Sequence, residues 1–319
     1  MRTRQSSLLT ILLYCQINEP GCGDGRPYSY SCVFVCNEVV DSAILVFNCL
    51  ICSLLSPYQA SFLDYFWNID IIIGLLKKSY KILGKPISMY SMGGLAEYCV
   101  VPAHGLTVLP NSLPYSESAI LGCAVITAYG AMAHAAQVRP GDSVAVIGVG
   151  GVGSSCLQIA RAFGASDIIA VDVQDEKLEK AKTFGATATI NSKIEDPIER
   201  IKEITGGRGV DIAVEGLGKP LTFSQCTQSV RDGGKVVMIG LAQAGEIDIN
   251  RLVRRKVQVI GSYGGRARQD LPKLVKLAES GIFNLADAVT RKYGFEEAGK
   301  AFQDLNQGKI VSRAVVEIV

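Results

Sequence analysis

The chain is 319 residues long, with 32 basic and 30 acidic side chains and a formal net charge of +2. That length implies about two domains, and so even a balance of charge leaves no electrostatic footprint for a nucleic-acid partner. Ten cysteines are too few for a disulfide scaffold in a chain of this size, so they are read as thiols of a reducing, cytoplasmic compartment.

Residues 1–83 differ in kind from the rest. They are poor in charge, rich in Cys, Ser, Tyr and Ile, and show no sustained helical or strand period. Arg2 and Arg4, followed by an apolar run at 8–13, imitate a signal peptide, but no small-residue cleavage site follows. The apolar stretch 39–56 approaches the length of a membrane span and is interrupted by Asp41 and Asn48. Cys32, Cys36, Cys49 and Cys52 have a passable metal spacing, yet they are embedded in Val, Phe, Ile and Leu rather than in the turn residues of a zinc knuckle. The segment is expected to be poorly ordered and not to enter a membrane.

Residues 84–141 carry a strand-like run at 95–101 and then a pattern that predicts one long helix over 116–138, with Ser116 as its N-cap. The chain's two histidines fall here, His104 after Pro102-Ala103 and His134 on the predicted helix. Each is expected to be satisfied or solvent-facing.

From 142 to 282 strands and helices alternate. Strands are predicted at 143–147, 167–171, 188–190, 210–214, 235–240 and 257–261, and helices at 154–163, 177–183, 196–204, 219–230 and 269–280. Such alternation implies a parallel sheet covered on both faces. Its strand cores are nearly continuous in Val, Ile and Ala, as burial on two faces requires. Residues 283–319 add an amphipathic helix at 295–306 and an alternating strand at 310–319.

Within this series, Val146-Ile147-Gly148-Val149-Gly150-Gly151-Val152-Gly153 follows a strand and opens a helix, and the next strand delivers Asp172. Gly148 suits the tight turn, Gly150 a close backbone approach to a pyrophosphate, and Gly153 close packing of helix on strand. The phosphates then meet unpaired N–H groups at the positive end of the helix, with Gly151 and Val152 in that turn. A carboxylate at Asp172 accepts ribose hydroxyls and repels a 2′-phosphate, which favours NAD over NADP. A methyl-donor cofactor on a similar fold is the chemical alternative.

Four motifs, taken together and in order, carry a resemblance. They are Gly93-Gly94-Leu95-Ala96-Glu97-Tyr98, then Gly122-Cys123 with Thr127-Ala128-Tyr129-Gly130, then the glycine turn, then Val171-Asp172. With the closing Gly308-Lys309-Ile310-Val311-Ser312-Arg313-Ala314-Val315, residues 84–319 resemble the medium-chain dehydrogenase/reductase superfamily in its zinc-type alcohol dehydrogenase branch. The resemblance implies an α/β fold, a Rossmann doubly wound parallel sheet plus an incomplete GroES-like catalytic domain. The expected divisions are 1–83, a catalytic remnant and linking helix at 84–141, an NAD-binding domain at 142–282, and a return to the catalytic domain at 283–319.

The resemblance also implies site roles. Cys123 matches the third protein ligand of the catalytic zinc, and Thr127 the residue beside the nicotinamide ring. Lys177 matches a lysine near the adenosine ribose, and Arg313 an arginine that reaches the pyrophosphate. The expected cofactor is NAD, with zinc implied by the family, and the expected partner is a small alcohol, aldehyde or ketone. The segment 257–264 is a candidate edge for a homodimer. The first two zinc ligands of the family, an early cysteine and the histidine of a Gly-His-Glu motif, have no counterpart here, because no histidine precedes His104. An NAD-dependent oxidoreductase with impaired turnover is therefore expected, with a non-catalytic NAD-binding relative and a membrane-anchored variant as alternatives.

Overall fold

A computed structural model describes residues 106–241 and 245–318, together with short strands before residue 87. Those early strands form three antiparallel pairs, Ile11–Leu12 with Val35–Cys36, Cys15–Glu19 with Tyr28–Cys32, and Lys81–Ile82 with Lys85–Pro86. At two to five residues each, they are too short to print a period on the sequence. The predicted strand at 95–101, His104 and the apolar stretch 39–56 lie outside the described residues.

The centre is a six-stranded, wholly parallel sheet. Its strands are β1 (Ser143–Ile147), β2 (Asp167–Asp172), β3 (Ala188–Asn191), β4 (Val210–Glu215), β5 (Val230–Met238) and β6 (Gln258–Gly261). Their spatial order is β6-β5-β4-β1-β2-β3. The order reverses between β1 and β4, which opens a crevice beyond the carboxyl ends of those two strands. The two faces are filled separately. Val144 and Val146 of β1 pack with Ile126, Leu157, Leu271 and Leu274, and Ala145 and Ile147 pack with Ile169, Ile201 and Phe223. Period-two alternation along a strand buried on both sides produces that division.

The helices bear out the predicted series with shifted ends. After α1 (Tyr115–Ser118) and α2 (Ala124–Tyr129) come α3 (Gly151–Ala162), α4 (Asp175–Thr183), α5 (Pro197–Ile204), α6 (Pro220–Ser229), α7 (Ile249–Arg255), α8 (Ala267–Glu279), α9 (Leu285–Ala288) and α10 (Ala298–Asn306). Pro197 opens α5 as expected, with the Asp196 carboxylate accepting the Ile198 N–H at 2.8 Å. A small second sheet pairs β7 (Val289–Gly294) in parallel with β8 (Arg313–Glu317). Tyr293, Ala301 and Ile310 form its own cluster.

The single long helix predicted over 116–138 is corrected. The segment is α1, a 3-10 turn at Ala119–Gly122, a break at Cys123, α2, and a π-helical turn at Gly130–Ala136, with the two halves bent by 43°. Every residue from 118 to 132 is buried, so no polar face survives in the sequence to register a break. Ser116 is not the N-cap. Pro114 holds that position without a side-chain cap, and the Ser116 hydroxyl donates to Glu317. The bent pair meets the length and composition of a broken span, but it lies in the protein core. Among the described residues no single helix is long and apolar enough to cross a membrane.

At the amino-terminal edge of the sheet, Asp211 joins β1 to β4. It accepts from the Ser143 N–H (2.9 Å) and hydroxyl (2.7 Å), Arg231 Nε (2.5 Å) and Arg208 Nη2 (3.1 Å). Burial opposes its charge, but the hydrogen bonds from Arg231, Ser143 and Arg208 outweigh it and hold the carboxyl well below the usual carboxylate range. A lowered folded-state pKa gives stability that is present above the unfolded value, about 3.9, and lost as pH falls through the folded value. Asp211→Asn is expected to cost about 1–3 kcal/mol at pH 7, with a smaller deficit near pH 3. Urea unfolding at the two pH values checks this, and equal midpoints at pH 7 would contradict it.

Candidate cofactor-binding site

The glycine turn lies at the reversal of strand order. Gly148 leaves β1 at φ +92°, a conformation that disfavours any side chain, and its N–H donates to the Val171 carbonyl at 2.8 Å. Helix α3 starts at Gly151, three residues before the predicted position, so Gly151, Val152 and Gly153 form its first turn. Its N-cap, Gly150, supplies no side-chain hydrogen bond, and the opening N–H groups of a helix have no partner within it. A Cβ on Gly153 would run into the Gly148 carbonyl, so helix and turn can close up only around a glycine. A Cβ on Gly150 would meet nothing within 4 Å. One glycine is therefore spent on packing, and the other faces open space.

Asp172 ends β2 with 6% of its surface exposed. Its Oδ2 accepts the Val149 N–H at 3.0 Å, and its Oδ1 accepts the N–H groups of Val173 (2.8 Å) and Gln174 (3.2 Å). The acid thus also ties the glycine turn to the end of β2, a role that spacing in the sequence does not reveal. Lys177 lies half-buried on the first turns of α4, just beyond this loop.

Arg313 arrives from β8, far along the chain, and its side chain lies over Gly151, occupying the space that a Cβ there would need. Beside it, the hydroxyls of Ser312 and Ser154 are 3.2 Å apart. Arg313 Nε is buried and has no hydrogen-bond partner. An orphaned cationic donor over the first turn of a helix fits an anionic group such as a pyrophosphate. The turn, Asp172 and Arg313 are brought together, and they fit a dinucleotide.

Cys123 and Thr127 are placed one helical turn apart. Cys123 occupies the break before α2 (φ −131°, ψ −79°), and its carbonyl accepts the Thr127 N–H at 3.0 Å. They are 2% and 3% exposed, and α2 packs against α3. The donor set for zinc does not fit: among the described residues no group of three or more His, Cys, Asp or Glu is placed to hold a metal ion. His134 is engaged elsewhere, with Nε2 2.9 Å from Asp270 Oδ2 and its ring edge-on to Tyr129. Cys156, on α3, has its thiol pushed up to about 12 by burial, which makes it a packing residue rather than a nucleophile.

Sequence reasoning passed over Glu215. This acid ends β4 on the other side of the crevice from Asp172, buried and held by three donors. The readable signal was an acid closing an apolar strand, followed by Gly216-Leu217-Gly218.

Comparison with known proteins identifies the family. The zinc-binding dehydrogenase family matches residues 151–280. A probable S-(hydroxymethyl)glutathione dehydrogenase 1 of Schizosaccharomyces pombe is 38% identical over 229 residues, 70% of this chain and 60% of that protein. Sorbitol dehydrogenase of Bacillus subtilis is 34% identical over 222 residues, 68% of this chain and 61% of that one. Among solved structures, the zinc-dependent alcohol dehydrogenase 2 from Streptococcus pneumonia is 30% identical, with a TM-score of 0.65, covering 78% of this chain and 72% of that one. The chain belongs to the medium-chain dehydrogenase/reductase superfamily, in its zinc-type alcohol dehydrogenase branch. It spans about three-fifths of the length of the first two relatives.

Proposed function

We propose that this chain is an NAD(H)-binding oxidoreductase of the alcohol dehydrogenase type, with the cofactor half of the site built and the zinc half not supplied by the described residues. The observation that carries the reading is the orphaned Arg313 Nε over the first turn of α3, with Asp172 on the adjoining strand end. When bound, the dinucleotide supplies a hydride acceptor for an alcohol or a hydride donor for an aldehyde or ketone. The residues of the chain bind and orient. Gly151, Val152 and Gly153 present N–H groups, Arg313 presents its guanidinium, and Gly150 leaves room for the phosphates. Asp172 receives the ribose of the adenosine half, with Lys177 beside it. Thr127 sets the face of the nicotinamide. Cys123 is the one family zinc ligand carried by the described residues, and a single thiolate holds zinc weakly compared with the three protein ligands of a catalytic site.

The same reading makes the protein cytoplasmic, in keeping with the buried free thiols of Cys123, Cys156 and Cys226. It also makes the protein a homodimer through β6, which lies at the edge of the sheet with Val259 partly exposed.

NADH is expected to bind at least tenfold more tightly than NADPH, since a phosphate placed against the buried Asp172 carboxylate is unfavourable. Asp172→Ala is expected to narrow that preference and also to weaken NADH, because it frees the Val149, Val173 and Gln174 N–H groups together. Fluorescence titration with both cofactors tests the assignment. Equal affinities in the unmutated chain would overturn it.

A further inference from the structure

The loop 262–266 leads from the edge strand β6 to α8 and lies directly on the helical segment 124–136. A Cβ on Gly130 would run into the Gly264 carbonyl, and one on Gly265 would lie 2.7 Å from both the Ile126 carbonyl and its Cγ1. Backbone thus meets backbone, and the loop has no buried apolar side chain to anchor it: Gly264 and Gly265 have none, and Tyr263 is 61% exposed. What holds such a loop is polar. The Ser262 N–H donates to the Met238 carbonyl at 2.8 Å, and the Arg266 N–H to Asp270 Oδ2 at 2.7 Å. Segments with few apolar anchors are those that open locally before the core does.

Asp270 is the pivot. Its side chain is 0% exposed, and a buried carboxylate is costly unless its charge is met. Oδ2 takes the Arg266 N–H and His134 Nε2, the latter at 2.9 Å, whereas Oδ1 has no hydrogen-bond partner. Lys273 Nζ stands 3.8 Å from Oδ1, outside hydrogen-bond distance, and 5.9 Å from the Tyr129 ring centroid. The His134 side chain is 29% exposed and so is open to exchange a proton with water. Around it stand Tyr129 of α2, edge-on at 5.9 Å, and Lys235 of β5, whose Nζ donates to the Ala136 carbonyl at 2.7 Å. Arg266 and Arg268 are exposed at the start of α8. Among the described residues Asp270 is the acid hydrogen-bonded to the imidazole, and the neighbouring lysines are the cations that oppose a charge on it.

We propose that His134 and Asp270 form a pH-sensitive clamp that holds the loop 262–266 on the helical segment 124–136, tight while the imidazole carries a proton and looser once that proton passes to solvent. A neutral imidazole can still donate from Nε2, but it brings no charge to the buried carboxylate, and a charge-assisted hydrogen bond is roughly twice as strong as a neutral one. The clamp is strongest at the acid end of the range in which histidine changes charge, about pH 5–8, and weakens as pH rises through it. It sets how firmly the edge of the sheet is tied to the helix that carries Thr127.

Amide exchange of the segment 262–266 is measured on the full chain at about pH 5.5 and about pH 8.5, each rate taken relative to that of an unfolded peptide at the same pH. Protection in the unmutated chain is expected to fall about fivefold from the lower pH to the higher, the difference between hydrogen bonds to charged and to neutral groups. Protection of β1 is expected not to follow it. His134→Gln, which offers a neutral donor at every pH, is expected to hold loop protection level, near the high-pH value of the unmutated chain. Asp270→Asn is expected to abolish the pH dependence as well; should that variant fail to fold, His134→Gln decides alone, since its side chain is partly exposed. Loop protection that stays level or rises with pH in the unmutated chain, or that falls as far in His134→Gln, would overturn the proposal. A fall shared equally by β1 would also overturn it, because it would report the whole domain rather than the clamp.

Discussion

Mixed with NAD and a primary or secondary alcohol, the chain is expected to form NADH several orders of magnitude more slowly than the 1–10³ s⁻¹ typical of enzymes. The hydroxyl of a neutral alcohol has a pKa far above 7, and in a zinc-type site the metal is what brings its oxygen towards ionisation. The described residues offer Cys123 and no ligand group around it, and His134 is already held by Asp270 and Tyr129. Each tenfold of rate corresponds to about 1.4 kcal/mol of barrier, and loss of a Lewis acid at the reacting oxygen removes several such steps. The proposed cofactor site does not call on that group, because the turn, Asp172 and Arg313 are assembled without it. Saturable NADH binding should therefore coexist with alcohol oxidation near background. Absorbance at 340 nm with a panel of alcohols measures this, and ordinary turnover would point to ligands recruited from Cys22, Cys32 or His104.

The second large effect is expected from the glycine turn, where two substitutions of the same size should act differently. Gly153→Ala drives a methyl group into the Gly148 carbonyl, with Val146 Cγ1 3.3 Å away. Neither can yield easily, because Val146 is fully buried in the central strand. Overpacking of this kind costs about 1–3 kcal/mol, and for a domain of this size each kcal/mol lowers Tm by about 2–4 °C. Gly150→Ala meets nothing within 4 Å and should leave Tm within about 1 °C, yet the added methyl occupies the space assigned to the phosphates. NADH affinity should fall at least tenfold. Thermal unfolding and NADH titration of both variants separate packing from binding, and full affinity in Gly150→Ala would place the pyrophosphate elsewhere.

The stretch from β1 through α3 to Asp172 was legible because strand, turn and helix each leave a local signature. A continuous apolar run, glycines at fixed offsets and an acid at the next strand end all fall within thirty residues. The region around Cys123 was not, since burial on every side erases the period by which a helix and its break are recognised. Strand β5 begins at Val230, five residues earlier than predicted; Arg231, Asp232, Gly233 and Gly234 read as a loop, and they bulge out of the pairing with β4 between Val230 and Lys235, with Gly233 at φ +74°. Helix α7 escaped notice altogether. It is seven residues long with none buried, and its one readable sign was Asp248, whose carboxylate caps the Arg251 N–H at 3.0 Å.

The same distinction between local and distant holds at the site. Gly148, Gly150, Gly153 and Asp172 announce themselves within one supersecondary unit. Arg313 reaches Gly151 from 162 positions away, and only family resemblance pointed to it.

The proposed separation of a cofactor site from a zinc site that the described residues do not supply is tested most directly on one purified, dialysed sample, by NADH titration alongside determination of bound zinc. The expected result is saturable NADH binding near one equivalent per chain with zinc well below one equivalent. Absence of NADH binding, or a full equivalent of zinc retained through dialysis, would contradict it.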